Sequence, residues 1–235
     1  MRVDPKIDQE IIDAAKNLKV IGVCSVGLNH IDMDYAKSKG IQIFNAPGLN
    51  ANAVAELTIS KMLDISPWVH FTANYDVKVK HEWNKYKFEG RELRGKTLGV
   101  MGFGRIGKRV GELGRAFGMT IVAYDPFLKP EDFEKEHATG MSIDEMLKVA
   151  DFVSIHVPLT PDTKDLFNAK SIAEMKDDAV VLNMSRGGIV NEKDMYEALK
   201  AGKIGGYATD VMENELAGSG LTGNDTFCKP AVRVR

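Results

Sequence analysis

Apolar runs rich in β-branched residues recur along the chain, each followed by a stretch with helical spacing. That alternation predicts a parallel sheet with crossover helices. Strands are expected at Leu98 to Met101, Thr120 to Tyr124, Phe152 to His156, Ala179 to Asn183 and Ile204 to Asp210. The first intervening helix spans Arg105 to Phe117. There Ile106, Val110, Leu113 and Phe117 fall at offsets 0, 4, 7 and 11 and form an apolar face, and Gly118 supplies a left-handed stop. Ser142 and Glu145 form a capping box for a helix ending near Ala150, and Asn191 caps another that stops at Gly202.

The first fifty residues repeat the pattern on a smaller scale. Val20 to Cys24 and Ile41 to Phe44 read as strands, separated by a helix from Asp32 to about Lys39 that Gly40 closes. From Asn50 a helix with Val54, Leu57 and Met62 on one side leads onward, until Ser66-Pro67-Trp68 interrupts it after Ile65. The expected organisation is a small α/β piece over 1–49 and a doubly wound α/β domain over 50–235.

Composition narrows the function classes. With 31 Lys+Arg against 33 Asp+Glu and no long block of one sign, nothing points to a nucleic-acid or membrane-surface partner. No signal-peptide core opens the chain and no run of about eighteen apolar residues occurs, so neither secretion nor membrane spanning is expected. Cys24 and Cys228 are too few for a disulfide framework and fall in no metal-ligand spacing, so a cytoplasmic location and no metal are expected.

Candidate chemistry begins after the Leu98 strand, where Gly102-Phe103-Gly104-Arg105-Ile106-Gly107 opens directly into the amphipathic helix. In that context Gly102 permits a tight turn, Gly104 lets backbone N–H groups approach a diphosphate, and Gly107 lets helix and strand pack closely. Asp125 ends the next strand, 18 residues beyond Gly107, where a carboxylate can accept from a ribose diol. Its charge would repel a 2′-phosphate, which favours NAD over NADP. The alternative is that the glycines form a plain turn and Asp125 caps the segment before Pro126.

Ligands of open α/β sheets sit beyond the carboxyl ends of the strands. Three further ends carry polar groups: His156-Val157-Pro158-Leu159-Thr160-Pro161, Asn183-Met184-Ser185-Arg186-Gly187-Gly188, and Thr209-Asp210 with Glu213 and Glu215 after it. Arg186 offers a planar fork suited to a carboxylate substrate, or is a surface residue of a glycine turn. His156 lines the cofactor, or is a hydrogen-bonded strand-end histidine. Glu213 is equally readable as a solvated residue.

Taken in order, Gly102 to Gly107 with Asp125, Ser154 to Pro161, and Asn183 through Val190 with Asp210 and Glu215 resemble the D-isomer-specific 2-hydroxyacid dehydrogenases, with the closest likeness to D-3-phosphoglycerate dehydrogenases. Val26-Gly27-Leu28, Phe44 to Gly48 and Asn52 to Thr58 extend the likeness to about Asn224. The resemblance implies a Rossmann-type NAD-binding domain, a partial flavodoxin-like substrate domain, and hydride transfer between NAD and C2 of a 2-hydroxy or 2-oxo acid. 3-Phosphoglycerate, a precursor in serine biosynthesis, is the first expectation for that substrate. It further implies cofactor contacts at Gly102, Gly104, Arg105, Ile106, Gly107, Asp125, His156, Pro158, Thr163 and Asp210. Arg186 would bind the substrate carboxylate and carbonyl, and Glu215 would hold a catalytic histidine. Backbone N–H groups around Val26 and Gly27 would cradle the substrate carboxylate, Arg2 and Lys6 would lie near a substrate phosphate, and a homodimer would form through the cofactor domain.

The chain departs from the family pattern at both ends. Family members begin well upstream, with strands that complete the substrate domain, and carry a histidine in a His-Leu-Gly-type turn shortly after the glutamate. Residues 216–235 contain no histidine, and His30, His70, His81 and His137 match no such position. The alternative function, from another class, is therefore a non-catalytic NAD-binding module or scaffold.

Overall fold

The computed structural model describes residues 6–28, 30–65, 76–82 and 91–213. The chain divides into two compact units, Met1–Ala51 and Asn52–Arg235.

In the first unit, α1 (Gln9–Ala14), β1 (Val20–Gly22), α2 (Met33–Ser38) and β2 (Gln42–Phe44) enclose a small core of Ile7, Ile12, Ile21, Val23, Ile31, Ala36 and Ile41. The strands pair in parallel, Val20 opposite Gln42 and Gly22 opposite Phe44. Asp32 caps α2 by accepting from the Tyr35 N–H at 3.0 Å. The strand expected to reach Cys24 stops at Gly22, because Cys24 to Val26 bend away toward the second strand's end.

The second unit carries the larger sheet. After α3 (Ala51–Ile65) come β3 (Thr97–Met101), α4 (Arg105–Ala116), β4 (Thr120–Tyr124), α5 (Pro130–Lys135) and β5 (Thr139–Gly140). The rest is α6 (Ile143–Val149), β6 (Phe152–Ile155), α7 (Ala169–Glu174), β7 (Val180–Asn183), α8 (Glu192–Ala201) and β8 (Gly206–Thr209). The strands lie side by side in the order β5-β4-β3-β6-β7-β8, every pair parallel. The chain therefore starts in the middle, winds outward through β4 and β5, then returns to build the other half from β6. This is the doubly wound α/β topology.

Alternation along each strand feeds two cores. Leu98, Val100, Ile121, Ala123, Phe152, Val180 and Leu182 pack on one face beneath α3, α4 and α5; Met101, Val122, Val153, Ile155 and Val181 pack on the other against α6, α7 and α8. Burial on both faces explains why the strands read as continuous apolar runs.

The helix after the glycine turn forms where expected, but its buried stripe differs. Gly107, Val110, Gly111 and Gly114 face the sheet, Ile106 and Leu113 are partly buried, and Phe117 is 41% exposed. A β-carbon at Gly114 would stand 2.7 Å from Leu98 Cδ2, and one at Gly111 3.3 Å from the Phe103 ring. Glycine thus brings the helix axis close enough that larger residues flank the contact instead of filling it. In α3 likewise, Ala55, Thr58, Ile59 and Met62 are the buried positions, with Val54 and Leu57 beside them.

Four elements escape periodicity because they are short. α1 begins at Asp8, which accepts from Ile11 N–H at 3.2 Å, and α5 begins with Pro130 and an Asp132 carboxylate that accepts from Lys129 N–H. α7 is capped by Asn168, and β5 is a two-residue edge strand. The last strand is narrower than Ile204 to Asp210: Ile204 is buried in the preceding turn and only Gly206–Thr209 joins the ladder.

Packing generates a prediction. A β-carbon at Gly107 would collide with the Gly102 carbonyl oxygen and come 3.0 Å from Val100 Cγ1, whereas one at Gly104 meets nothing within 4 Å. Gly107→Ala should lose about 1–3 kcal/mol of stability from overpacking. Gly104→Ala, at the helix cap, should cost at most about 1 kcal/mol. Urea denaturation of both variants checks the order, and equal losses would contradict the packing account.

Candidate functional site

The switch point of the sheet lies between β3 and β6, beyond whose carboxyl ends the connections leave toward opposite sides of the sheet. Two of the expected loops leave the sheet there. Gly102 follows β3 with φ +87°, a left-handed conformation that suits glycine, and a β-carbon on it would stand 2.8 Å from the His156 carbonyl oxygen. Its N–H donates to the Tyr124 carbonyl at 2.8 Å, joining the turn to the end of β4.

Gly104 occupies the N-cap of α4 in extended conformation, and no side chain caps the helix. The first intrahelical bond runs from Lys108 N–H to Gly104 O at 2.9 Å, so the N–H groups of Arg105, Ile106 and Gly107 are the unshared donors of the helix start. The residues expected to hold a diphosphate thus form a backbone cradle at the positive end of a helix dipole.

Asp125 stands beside this turn. Its Oδ2 accepts from Phe103 N–H at 3.0 Å and its Oδ1 from Phe127 N–H at 3.0 Å. It therefore braces the segment around Pro126 and the glycine turn together. Each carboxylate oxygen retains a further lone pair for a hydroxyl.

On the β6 side, His156 continues the strand through its N–H bond to Met101 O at 2.7 Å. The ring Nε2 lies 2.7 Å from the hydroxyl of Ser154, which is fully buried, while Nδ1 is buried without a partner. Burial pushes the imidazole down to about 4, so it is neutral at physiological pH. Pro158 is exposed at the loop's turn, and Thr163 closes that loop by donating to the Pro158 carbonyl at 2.7 Å and accepting from Thr160 N–H at 2.8 Å.

Farther along the same sheet edge, Arg186 is exposed beyond β7, with Nη1 donating to its neighbour Ser185 O at 2.7 Å. Asn183, buried at the strand end, shapes this loop: its Nδ2 donates to Arg186 O at 2.8 Å and its Oδ1 accepts from the Ser185 N–H and hydroxyl. Asp210 is exposed and donates its N–H to Asn183 O at 3.2 Å, which ties the ends of β7 and β8. Glu213 and Glu192 exchange backbone N–H to carboxylate bonds.

In the first unit, Val26 and Gly27 lie on the bend after β1. The Val26 carbonyl accepts from Asn45 Nδ2 at 2.9 Å and the Gly27 carbonyl from Ser25 Oγ at 3.1 Å. Lys6 is exposed. Glu215 and Arg2 lie outside the described residues.

Three positioning residues were not singled out from the sequence. Ser154 could have been found, since it stands two residues before His156 on the same side of a strand. Asn183 is a polar residue closing an apolar strand, a signal that appeared only as the start of a motif. Phe103 reads as a loop residue, yet its ring is 1% exposed and stacked on Phe133 with centroids 5.6 Å apart.

The residues present fit a dinucleotide. The cradle holds uncapped helix N–H groups, the position that meets it carries no side chain at Gly104, and His156 Nδ1 is an unpartnered buried polar atom at the same switch point. Among the described residues no helix is long and apolar enough to cross a membrane.

Comparison with known proteins agrees. Residues 63–230 match the D-isomer specific 2-hydroxyacid dehydrogenase NAD binding domain. The chain is 44% identical over 216 residues to the D-3-phosphoglycerate dehydrogenase of Methanocaldococcus jannaschii, covering 92% of this chain and 41% of that protein. It is 42% identical over 216 residues to the hydroxypyruvate reductase of Thermotoga maritima, covering 92% and 69% respectively. The chain thus spans about two-fifths of the length of the phosphoglycerate dehydrogenases it matches. The crystal structure of D-lactate dehydrogenase from Aquifex aeolicus, complexed with NAD and lactic acid, superposes with a TM-score of 0.82 at 34% identity over 99% of this chain and 72% of that one.

The histidine generates a prediction. Its folded-state value of about 4 lies below the ordinary 6.5, so the unfolded chain binds the proton more readily. The His156 contribution to stability is therefore whole above pH 6.5 and is lost as pH falls from there through about 4. His156→Asn should flatten this part of the stability profile. Urea midpoints between pH 4 and 7 measure it, and an unchanged slope in the variant would rule His156 out as its source.

Proposed function

The chain belongs to the D-isomer specific 2-hydroxyacid dehydrogenase family, and we propose that it transfers a hydride between NAD and C2 of a small 2-hydroxy or 2-oxo acid. The observation that carries the reading is the uncapped start of α4 behind Gly102 and Gly104, with the Asp125 carboxylate beside it at the sheet's switch point. NAD, when bound, would supply or accept the hydride at its nicotinamide, while the proton on the C2 oxygen exchanges with water, residues 216–235 containing no histidine to carry it.

Every other part is the protein's own. The N–H groups of Arg105, Ile106 and Gly107 hold the diphosphate by hydrogen bonds and by the helix dipole. Asp125 accepts from the adenosine ribose hydroxyls, and its negative charge disfavours a 2′-phosphate. His156 stays neutral and, with Pro158, Thr163 and Asp210, lines the cofactor. A neutral imidazole adds a polar contact there without competing with Arg186 for the substrate's negative charge.

Arg186 binds the substrate carboxylate and polarises the carbonyl. Its guanidinium is a planar fork of donors matched to a carboxylate, while the buried Asn183 holds the backbone that carries it. Val26 and Gly27, on the bend after β1, are the first unit's candidate backbone donors for a substrate carboxylate. The relatives act on phosphoglycerate, hydroxypyruvate or lactate according to their names, and 3-phosphoglycerate is the first substrate to try. A cytoplasmic homodimer accompanies this proposal, and sedimentation velocity of the full chain tests the dimer.

The test measures NADH and NADPH binding by tryptophan quenching, then turnover with 3-phosphoglycerate, hydroxypyruvate and lactate on one preparation. NADH should bind more tightly than NADPH. Arg186→Ala should lower kcat/KM by about two to four orders of magnitude, the worth of two charge-assisted hydrogen bonds, with NADH affinity nearly unchanged. Binding without any turnover would make the protein an NAD-binding module instead of a dehydrogenase. Equal loss of NADH affinity and turnover in the Arg186 variant would assign that residue to the fold.

A further inference from the structure

We propose that Asp125 is a positioning residue for the phosphate-binding turn, in addition to its part in holding the ribose. The proposal rests on the NAD reading above and concerns how the second phosphate is gripped.

Phe103 is the hinge of the argument. It stands between the two glycines whose backbones shape the cradle, and it is anchored from two directions. From below, its buried ring stacks on Phe133 and lies against the bare inner face of α4 at Gly111. From the side, its N–H donates to Asp125 Oδ2 at 3.0 Å. Gly102 supplies a parallel tether through its N–H bond to Tyr124 O. The next residue, Gly104, has no side-chain cap and no neighbour that a β-carbon would touch, so nothing on its outer side steadies it. The orientation of the peptide entering the cradle is consequently set by Phe103 and, through it, by Asp125.

Asp125 is suited to this because both of its oxygens are used at once. Oδ1 accepts from Phe127 N–H while Oδ2 accepts from Phe103 N–H, and each keeps a lone pair free for a ribose hydroxyl. Ribose can therefore be bound without releasing the turn. An asparagine in its place would present one oxygen and one NH2 group, so one of the two backbone donors would face another donor.

The two roles predict opposite signs for a phosphate. If Asp125 served only the ribose, removing its carboxylate would leave the added affinity from a second phosphate unchanged, or raise it by taking a negative charge away. If it also holds the turn, removing it weakens the second phosphate. The readout is the ratio of ADP to AMP affinity, in which the shared adenosine cancels.

Calorimetric titration of ADP and AMP into the wild-type chain and Asp125→Ala gives both ratios. The ADP:AMP ratio should fall about three- to tenfold in the variant, the equivalent of one backbone hydrogen bond. AMP affinity itself should also drop. Amide exchange followed by NMR should show Phe103 N–H losing protection in Asp125→Ala while amides of β3 and β6 keep theirs. Asp125→Asn, nearly isosteric, is the second variant should the alanine protein fail to fold, and its ratio should fall as well. A ratio that stays level or rises in a folded variant overturns the positioning role and leaves the NAD reading intact. No ADP or NADH binding by the wild type overturns both.

Discussion

The close approach of α4 to the glycine turn is the constraint on which the dinucleotide unit depends. Gly107 lies so near the Gly102 carbonyl that no side chain fits between them, and Gly111 and Gly114 continue the bare stripe against Phe103, Leu98 and Ile121. Three glycines in a helix are unfavourable by propensity alone, each costing roughly 1 kcal/mol relative to alanine. The sheet contacts offset that cost by letting the helix start directly over the end of β3. A bulkier helix would sit farther out, and its uncapped N–H groups would no longer converge where the chain turns.

Electrostatics at the sheet edge follow from the same winding order. Because β3 and β6 are neighbours although far apart in sequence, the glycine turn and His156 leave the sheet together. Helix N–H groups concentrate positive potential at that point. The imidazole adds none, since burial keeps it neutral, while the positive charge of Arg186 stands exposed beyond β7, the next strand along. Weak backbone donors suit a diphosphate bound along its length, and a guanidinium suits a planar carboxylate. The two chemistries are separated by strand position.

Polar groups at the strand ends maintain that separation. Ser154 fixes one nitrogen of His156, Asn183 holds the backbone around Arg186, and Asp125 braces both the turn and the residues after Pro126. Each acts on a loop leaving the sheet's carboxyl edge. The loops owe their shape to these side chains at least as much as to their own glycines and prolines.

The order of the elements, the parallel sheet, the glycine turn and the spacing to Asp125 were legible in the sequence, because each rests on local chemistry: period-two and period-3.6 burial, capping side chains, and glycine where φ is positive. The strand Thr120–Tyr124 and the caps at Ser142 and Asn191 appear as read. The short elements were not legible, since α7 and β5 contain too few residues to show a period. Nor was the inner face of α4, where apolar spacing pointed to Ile106, Leu113 and Phe117 while glycines take the contact, because periodicity measures hydrophobicity and cannot measure the distance between two backbones. The partners of Asp125, the isolation of His156 Nδ1 and the burial of Phe103 belong to tertiary structure alone, for they arise where strands remote in sequence become neighbours and decide what each loop side chain meets.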